Sequence, residues 1–388
     1  MSERMQGLDF EETESEKILR ATVRDFAKKE IAPYARKWDE EESFPSALIP
    51  KLAELGLMGM RVPEELGGAG MSTQDNAIVI EELARVDGSV ALTVASHNGL
   101  CTGHILLAGN DEQKRRWVPN LATGKWLGAW GLTEPSSGSD AAGAKTRAVK
   151  SGDKWILNGA KTFITQGSVG QVYVVIASTT PEKKQHGLTA FVVEKGMKGF
   201  SVGKHIEKMG CHASDTAELA FADVEVPDAH RLGPIDHGFI DTLQILDKGR
   251  IAIASMALGL GFGALDAARA YAKERKQFGR PLADNQAIQF MLADSATELE
   301  GARLLIKRAA WLSDAGQRHT YESSTAKLWA AQVAMRACDR AIQIHGGYGY
   351  TREFPVERAL RDCKLCEIGE GTNEVQRMVI ARHLIAGS

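Results

Sequence analysis

Three short blocks of this sequence carry side chains that could do chemistry. The loop at residues 132–140 is rich in hydroxyl groups and could offer them, with backbone N–H groups, to a polar cofactor, although surface turns share this composition. Arg275 heads a basic block whose guanidinium would suit a phosphate, although basic residues also stabilise helix ends. Glu370 stands alone between two glycines, in a turn before the last helix. Taken singly, each block fits a structural role as well as a functional one.

The glycines of the chain, 39 in all, do not form a dinucleotide-binding fingerprint. Gly259, Gly261 and Gly263 are spaced by two inside a helical pattern, whereas the fingerprint needs a third glycine three residues after the second, between a strand and a helix. We therefore expect a small-residue face where helices pack closely, and not a Rossmann NAD site. Gly346 and Gly347 follow a helical pattern, which indicates a helix C-cap and also permits a ligand to approach the backbone closely.

The sequence lacks the common metal-binding and hydrolase motifs. Cys363 and Cys366 lack the two further ligands of a zinc site and the βαβ setting of a redox pair, so we expect them to be small core residues. The ten histidines form no metal-ligand grouping, and no metal is expected. Neither a Gly-x-Ser-x-Gly elbow nor a Walker loop occurs, which leaves hydrolase and nucleoside-triphosphatase hypotheses without catalytic residues.

The composition of the 388-residue chain argues against several classes of partner and compartment. A formal net charge of −3 provides no basic field for a nucleic acid. Five cysteines are too few for a disulfide scaffold and the N-terminus is acidic, so we expect a cytoplasmic protein without a targeting segment. The longest apolar run, residues 251–265, is shorter than the roughly 20 residues of a membrane span. We expect it to be a helix buried among other helices, and no membrane partner.

The elements that must position these blocks change character twice along the chain. Apolar residues recur every three to four positions up to about Gly124, short β-rich runs follow, and long helical patterns return from Gly238. We predict an α+β fold with an N-terminal helical domain (1–127), a middle antiparallel β-domain (128–237) and a C-terminal helical bundle (238–388). The place where the three parts meet is the expected cleft for a cofactor or substrate.

In their order and spacing, the blocks together resemble the acyl-CoA dehydrogenase family over nearly the whole chain. The resemblance rests on residues 132–140, 163–165, 223–227, 275–279, 343–347 and 370–377. It implies the α, β, α fold and a homotetramer, a dimer of dimers, that converts an acyl-CoA thioester to the trans-2-enoyl-CoA. It also implies an electron-transfer flavoprotein as partner. Because protein side chains cannot accept a hydride, the implied acceptor is FAD.

The resemblance assigns roles to residues around the expected cleft. Glu370 matches the family's catalytic base, and burial in a dry cleft would raise its pKa toward the working pH. The backbone N–H of Glu370 matches a donor to the thioester carbonyl, and Gly371 permits a close approach. Arg250 matches an arginine near the base, and Asp247 a residue near the CoA pantetheine. Ser139 matches a residue that meets both substrate and flavin.

The cofactor-binding positions implied by the resemblance form three sets. The first set matches contacts of the flavin ring and the loop beside it: Trp130, Leu132, Thr133, Ser139, Phe163 and Thr165. The second set matches residues that reach the pyrophosphate and adenosine of the FAD in a neighbouring subunit: Arg275, Gln277, Phe278, Gln286, Gln343, Gly346 and Gly347. The last adenosine-side contacts match Thr372 and Glu374. If these contacts cross subunits, a monomer would hold FAD poorly.

Departures from the family pattern bear on the base and the substrate. Some members carry the base on an earlier helix, at the position of Gly249, so Glu370 is the only candidate of the two here. Gly369 stands where many relatives have tyrosine, which implies a wider pocket that admits branched or bulky acyl groups. His212 replaces a common arginine in the β-domain. Residues 90–100 resemble the lining of the acyl end and contain no cation for a dicarboxylic substrate.

Two other hypotheses remain open at this point. An acyl-CoA oxidase or a nitroalkane-oxidase-like flavoenzyme would keep the fold with another acceptor or substrate, although such relatives are usually longer or carry aspartate in place of Glu370. A non-catalytic helical assembly protein would bind no flavin. Rapid peroxide production under air would favour the first hypothesis, and a purified protein that takes up no FAD would favour the second.

Overall fold

The structure is a computed structural model that describes residues 10–387. Residues 1–9 lie outside the described residues, and with them part of the acidic N-terminal stretch on which the expectation about targeting rests. The helices in this range are α1 (Glu14–Phe26), α2 (Ala32–Glu40), α3 (Ile49–Glu54), α4 (Thr73–Ala84), α5 (Gly88–Ser96), α6 (Gly103–Ala108), α7 (Asp111–Ala122), α8 (Gly238–Glu274), α9 (Gln286–Asp314), α10 (Thr320–His345), α11 (Val356–Ile368) and α12 (Asn373–Ala386). The strands are β1 (Gly128–Gly131), β2 (Arg147–Ser151), β3 (Lys154–Thr165), β4 (Val172–Ser178), β5 (Leu188–Glu194), β6 (Phe200–His205), β7 (Thr216–Pro227), β8 (Arg231–Leu232), β9 (Lys276–Gln277) and β10 (Arg280–Pro281).

Local sequence explains where the N-terminal helices begin. Thr13, Ser72 and Asn110 each accept a hydrogen bond from a backbone N–H three residues later, and the side chain at that third position bonds back. These capping boxes satisfy N–H groups that have no partner inside α1, α4 and α7. α5 begins instead at Asp87, whose carboxylate accepts from the Val90 N–H. Every residue of α5 is buried, so the segment expected to line the acyl end lies in the interior.

The middle of the chain forms an eight-stranded sheet in the order β6-β7-β3-β2-β4-β5-β8, with β1 beside β4. The strands predicted from the sequence are present, and most neighbours pair antiparallel as expected. The sheet departs from that pattern where β1 runs parallel to β4 and where β2 meets β4 in one parallel pair. Parallel pairing is possible there because β2 and β3 supply the long crossover connection between β1 and β4.

A bulge in β3 changes the direction of one aromatic side chain. The pairing of β3 with β7 shifts register between Lys161 and Ile164. Inside the bulge, Phe163 has a φ of 57°, which is uncommon for a residue with a large side chain. Phe163 is 65% exposed as a result, whereas the flanking Thr162 and Ile164 are buried. The strand therefore presents an aromatic ring at its end.

The C-terminal bundle is organised around α8, a helix of 37 residues that packs against α4, α9, α10 and α11. A Cβ built at Gly259 would lie 2.2 Å from the carbonyl oxygen of Glu81, and one at Gly263 would lie 2.3 Å from that of Arg85. Gly261 is equally crowded, with a side chain 2.6 Å from its virtual Cβ. The prediction of a small-residue face for close helix packing is confirmed.

α8 also passes the length and hydropathy test for a membrane-spanning helix, and within residues 10–387 it is the one helix that does. Of its most apolar window, 72% is buried inside the protein. The apolar run at residues 251–265 is the central part of the longer helix α8. The prediction that the run lies buried among other helices is confirmed.

Candidate active site

Glu370 lies in a strained turn between α11 and α12. α11 ends at Ile368, and Glu370 and Gly371 have φ angles of 52° and 94°. A left-handed conformation costs a residue with a side chain about 1–3 kcal/mol, and such residues cluster at functional sites. Thr372 then caps α12 by accepting a hydrogen bond from the Val375 N–H. Two helix ends thus hold the turn in place.

The carboxyl group of Glu370 faces α8. A Cβ built at Gly249 would lie 1.7 Å from Glu370 Oε2, so the glycine makes room for the carboxyl group. Oε2 is buried and has no hydrogen-bond partner within residues 10–387. Burial raises the pKa of Glu370 to about 7, against the opposing effect of the Arg250 and Lys327 cations. A carboxyl group in this state can accept a proton near neutral pH.

Arg250 and Asp247 lie one turn apart on α8, close to this carboxyl group. Arg250 donates to Asp247 Oδ1 at 2.6 Å and to Ser324 Oγ on α10 at 3.3 Å. Thr320 donates to the second carboxylate oxygen of Asp247 at 2.6 Å. The Nε of Arg250 is buried and has no partner in the described part of the chain. The structure therefore places the Arg250 cation, held by Asp247, near the Glu370 carboxyl group.

The loop at residues 132–140 is fixed by buried polar contacts. Lys161 on β3 donates to the Leu132 carbonyl at 3.0 Å and to Glu134 at 2.7 Å, and the Lys161 and Glu134 side chains are both buried. The indole N–H of Trp130 donates to His104 Nδ1 at 3.1 Å. The loop is anchored at its start, so the backbone around Leu132 is preorganised before any ligand binds.

The edge of the sheet next to this loop suits a flat aromatic ligand. The Thr133 carbonyl accepts a hydrogen bond from the Thr162 N–H at 2.9 Å, which ties the loop to the bulge of β3. Phe163 offers an exposed ring, Thr165 is half-buried beside it in sequence, and Ser139 is exposed further along the loop. An aromatic face flanked by hydroxyl and backbone groups matches the polar-edged ring of a flavin.

The second predicted cofactor set lies on the surface of the helical bundle. Its members are all exposed: Arg275, Gln277, Phe278, Gln286, Gln343, Gly346 and Gly347. Phe278, with a φ of 53°, occupies the tip of the β9–β10 hairpin. The Arg275 guanidinium lies 5.6 Å from the ring centre of Tyr348, which connects the hairpin to the turn that begins at Gly346. No hydrogen bond within residues 10–387 joins this set to Glu370.

Family models cover each third of the chain. The models for the acyl-CoA dehydrogenase N-terminal, middle and C-terminal domains match residues 13–125, 129–224 and 236–385. The chain belongs to the acyl-CoA dehydrogenase family. The resemblance deduced from the sequence, the predicted fold class and the assignment to the oxidoreductases are confirmed.

Members of the acyl-CoA dehydrogenase family match the chain over nearly its whole length. The acyl-CoA dehydrogenase of Bacillus subtilis is 46% identical, and the match covers 97% of this chain and 99% of the relative. The subunit CarC of the caffeyl-CoA reductase-Etf complex of Acetobacterium woodii is 43% identical, over 96% of this chain and 99% of the relative. The solved structure of butyryl-CoA dehydrogenase from Megasphaera elsdenii gives a TM-score of 0.95 at 42% identity, over 97% and 100% of the two chains.

Several buried polar residues around the site of this acyl-CoA dehydrogenase fold were not predicted from the sequence. Lys327 on α10 and Gln376 on α12 are fully buried, and each donates to the Gly371 carbonyl at 2.8 Å. A signal existed for Lys327, which is a lone cation on a helix stripe of alanines. Lys161 lies four residues after the buried Leu157 on β3, so both side chains point to the same, inward face of the strand. A lone lysine on an apolar face indicates a buried polar contact.

The cysteines and possible metal ligands give no sign of a metal site. All five cysteines are unpaired and buried, and the prediction that Cys363 and Cys366 are core residues is confirmed. Among residues 10–387, no group of three or more histidine, cysteine, aspartate or glutamate side chains is arranged to hold a metal ion.

A surface cavity of about 440 Å³ lies beside the loop that carries Ser139. Its lining includes Lys145 and Arg147 on one side and Lys184 on the other. The acidic residue of the lining is Asp140, so the cavity has an excess of positive charge. Such a surface favours phosphate groups.

Proposed function

We propose that this chain is a FAD-dependent acyl-CoA dehydrogenase that converts an acyl-CoA thioester to the trans-2-enoyl-CoA, with Glu370 as the catalytic base. The observation that carries the proposal is the Glu370 carboxyl group, whose Oε2 atom is buried opposite Gly249 without a hydrogen-bond partner among residues 10–387 and whose pKa is raised by burial to about 7. A proton α to a thioester is weakly acidic, so its removal needs a base that is unprotonated near neutral pH and protected from water.

The chain itself supplies the groups for the proton transfer. Glu370 takes the proton from the carbon α to the thioester. Its backbone N–H has no acceptor within residues 10–387, so it can donate to the thioester carbonyl as negative charge develops on that oxygen. Arg250, held by Asp247, keeps a positive charge near the base and favours its ionised form. FAD, when bound, supplies the acceptor for the hydride from the β carbon.

Two groups of residues would hold FAD. The residues that would face the flavin ring are Trp130, Leu132, Thr133, Ser139, Phe163 and Thr165. The residues that would meet the pyrophosphate and adenosine are Arg275, Gln277, Phe278, Gln286, Gln343, Gly346, Gly347, Thr372 and Glu374. We place seven of the latter residues against the FAD of a neighbouring subunit in a homotetramer: Arg275, Gln277, Phe278, Gln286, Gln343, Gly346 and Gly347. Phe278 would otherwise leave a whole aromatic ring in water.

The acyl group is proposed to be short or branched and uncharged. Every residue of α5 is buried, and the helix contains neither arginine nor lysine to pair with a second carboxylate. At Gly369, a virtual Cβ would lie 3.4 Å from the Leu365 carbonyl oxygen, an ordinary van der Waals distance, so the turn has room for a side chain that this sequence does not supply. The butyryl-CoA dehydrogenase named for the Megasphaera elsdenii structure, which is 42% identical to this chain, supports a short, uncharged acyl group.

Flavin bleaching tests the proposed activity directly. Anaerobic addition of butyryl-CoA or isobutyryl-CoA should bleach the visible flavin absorbance and yield the corresponding enoyl-CoA, and glutaryl-CoA should react poorly. Peroxide formed in air as fast as substrate is consumed would instead identify an oxidase. A flavin that no acyl-CoA bleaches would contradict the proposal.

We further propose an electron-transfer flavoprotein as the redox partner and the cytoplasm as the compartment. The partner is supported by the Etf complex named for the Acetobacterium woodii relative. Five buried, unpaired cysteines agree with a reducing compartment. Reduction of added electron-transfer flavoprotein by the substrate-reduced protein would test the partner.

The pH dependence of turnover should report the pKa of the catalytic base. Because protonated Glu370 cannot accept a proton, kcat/KM is expected to fall about tenfold per pH unit as the pH drops below about 7. The pKa of Glu370 is raised from an ordinary value near 4.5, so the expected acid limb lies well above that of an exposed glutamate. The measurement is a pH profile of kcat/KM under saturating electron acceptor, and an acid limb near pH 4.5 would contradict the assignment.

The cationic cavity beside Ser139 is proposed to receive the nucleotide end of CoA. Coenzyme A carries its phosphates on the adenosine and pyrophosphate, and Lys145, Arg147 and Lys184 provide cations suited to them. The cavity is lined by Asp140, the neighbour in sequence of Ser139, which is proposed to meet the substrate.

Removal of two of these cations should weaken binding without slowing chemistry. The variant Arg147→Ala, Lys184→Ala is expected to raise KM for acyl-CoA about tenfold, because two exposed cations that each contribute up to about 1 kcal/mol to phosphate binding are lost. The same variant should process an acyl-pantetheine thioester, which lacks the nucleotide, as well as the wild type does. Lys198→Ala, an exposed lysine outside the cavity lining, is the control. Equal losses with both thioesters would contradict this placement.

A further inference from the structure

Lys327 on α10 is a buried cation without a salt bridge. Its side chain is fully buried, and no carboxylate of residues 10–387 lies within 4 Å of its ammonium group. A buried charge without a close counterion is costly, so such a residue persists only where other contacts or a function compensate. The proposed proton transfer does not by itself explain Lys327.

The hydrogen bonds of Lys327 go to the turn that carries Glu370 and to the first residue of α12. Its ammonium donates to the Gly371 carbonyl at 2.8 Å and to Asn373 Oδ1 at 3.3 Å. Gln376, which is also fully buried, donates to the same Gly371 carbonyl at 2.8 Å. α10 and α12 thus each provide one donor to the carbonyl directly after Glu370. One donor is charged and the other is neutral.

The other charged groups near Lys327 already have partners of their own. The groups that act on Lys327 come from α8 (Arg250), α11 (Cys366 and Glu367) and the turn (Glu370). Glu367 pairs with Lys364 at 2.6 Å and accepts from Asn373 Nδ2 at 3.3 Å, and Arg250 pairs with Asp247 at 2.6 Å. A hydrogen bond with Cys363, together with burial, raises the pKa of Cys366, so its thiol stays neutral. Among the described residues that act on Lys327, Glu370 is the carboxylate with an oxygen, Oε2, that is buried without a hydrogen-bond partner.

We propose that Lys327 is a positioning residue for Glu370, because its ammonium group fixes the Glu370–Gly371 turn and its charge favours the ionised form of the Glu370 carboxyl group. The catalytic consequence rests on the proposed role of Glu370 as base. Geometry and charge can be separated here, since Gln376 makes the same hydrogen bond without the charge.

The pKa shifts agree with this arrangement. Burial raises the pKa of Glu370, and the cations of Arg250 and Lys327 oppose that rise. Burial lowers the pKa of Lys327 to about 8, so the lysine is mostly charged at neutral pH. Removal of the Lys327 charge takes away one of the two cations that counteract the effect of burial, so the pKa of Glu370 should rise further.

The test compares Lys327→Met with Gln376→Met in the FAD-loaded protein. The first variant removes a charged donor to Gly371, and the second removes a neutral donor to the same atom. The readout is a titration of the Glu370 carboxyl band by infrared difference spectroscopy, with the band identified by its loss in Glu370→Gln. Lys327→Met should move the midpoint up by about one pH unit, the effect of losing one nearby opposite charge. Gln376→Met should leave the midpoint in place.

The same variants should differ in their pH–rate profiles. In Lys327→Met, the acid limb of kcat/KM should shift upward with the carboxyl midpoint, so the loss is largest at low pH. In Gln376→Met, any loss should be similar at every pH. If Lys327→Met does not fold, Lys327→Gln keeps a donor while removing the charge and should give the same upward shift.

Two results would overturn the inference. One is an unchanged Glu370 midpoint in the folded Lys327 variants, and the other is an equal shift in Gln376→Met. Because the infrared titration needs no substrate, it separates this inference from the proposed function. A protein whose flavin no acyl-CoA bleaches would refute the function while the titration still decided the role of Lys327.

Discussion

Replacement of Glu370 by glutamine is expected to lower the rate of flavin reduction by acyl-CoA by roughly 10²- to 10⁴-fold, the usual contribution of a general base. The amide has nearly the shape of the carboxyl group but cannot accept the proton from the substrate. The side chain fills the same space opposite Gly249, so the turn, the fold and bound FAD should be retained. The measurement is the single-turnover rate of anaerobic flavin bleaching by butyryl-CoA, with the flavin content of the purified variant determined in parallel.

Glu353→Gln is the matched control for this experiment. Glu353 is an exposed glutamate between α10 and α11, and its replacement should leave the bleaching rate unchanged. Loss of flavin from Glu370→Gln would point to a structural role for the turn. Bleaching at the rate of the wild type would show that another group removes the proton.

The order of the helical and β-domains could be predicted because apolar residues recur at a different spacing in helices and in strands. The apolar spacing of α8 and the β-rich runs of β4 and β5 identify these elements without knowledge of their partners. The parallel pairing of β1 with β4 could not be predicted, because it joins residues on either side of β2 and β3. Periodicity determines which face of a strand is buried, but not which strand lies beside it.

The site divides in the same way between local and long-range features. The isolated position of Glu370 between glycines is a local pattern, and so is its place before a final helix. The hydrogen bond from Lys327 to the Gly371 carbonyl is not local, since Lys327 precedes Gly371 by more than forty positions. The Lys161 and Glu134 pair also depends on how β3 packs against the loop. Such contacts arise from tertiary packing, which a single sequence does not encode as a short pattern.

The contacts proposed for Phe278 and Arg275 with the FAD of a neighbouring subunit stay a prediction for a separate physical reason. Phe278 and Arg275 are exposed in the single chain, so no contact within the chain reports what they bind. Thr372 has a structural role that the resemblance did not supply, because its hydroxyl group caps α12. A cap and a ligand contact can coincide at one residue, since a helix N-terminus also favours anions.

Gly249→Ala is expected to lower turnover by about 100-fold, because a displacement of about 1 Å at a reacting group can have an effect of that size. The added Cβ would lie 1.7 Å from Glu370 Oε2, so the carboxyl group must move. The displaced atom is the end of a flexible side chain, so the free energy of unfolding should change little. Alanine also favours the helical backbone over glycine. The measurements are flavin bleaching by butyryl-CoA and thermal unfolding of the FAD-loaded variant.

Gly301→Ala is the matched control, since this glycine of α9 has its nearest neighbour 3.7 Å from a virtual Cβ and should tolerate alanine without loss of activity. If Gly249→Ala acts by displacing the base, adding Glu370→Gln should cost little more, because a base that is already out of place has little activity left to lose. Such non-additivity is expected for residues in direct contact. Independent, multiplicative losses would contradict the explanation, because they would mean that Gly249 contributes to turnover by a route that does not involve Glu370.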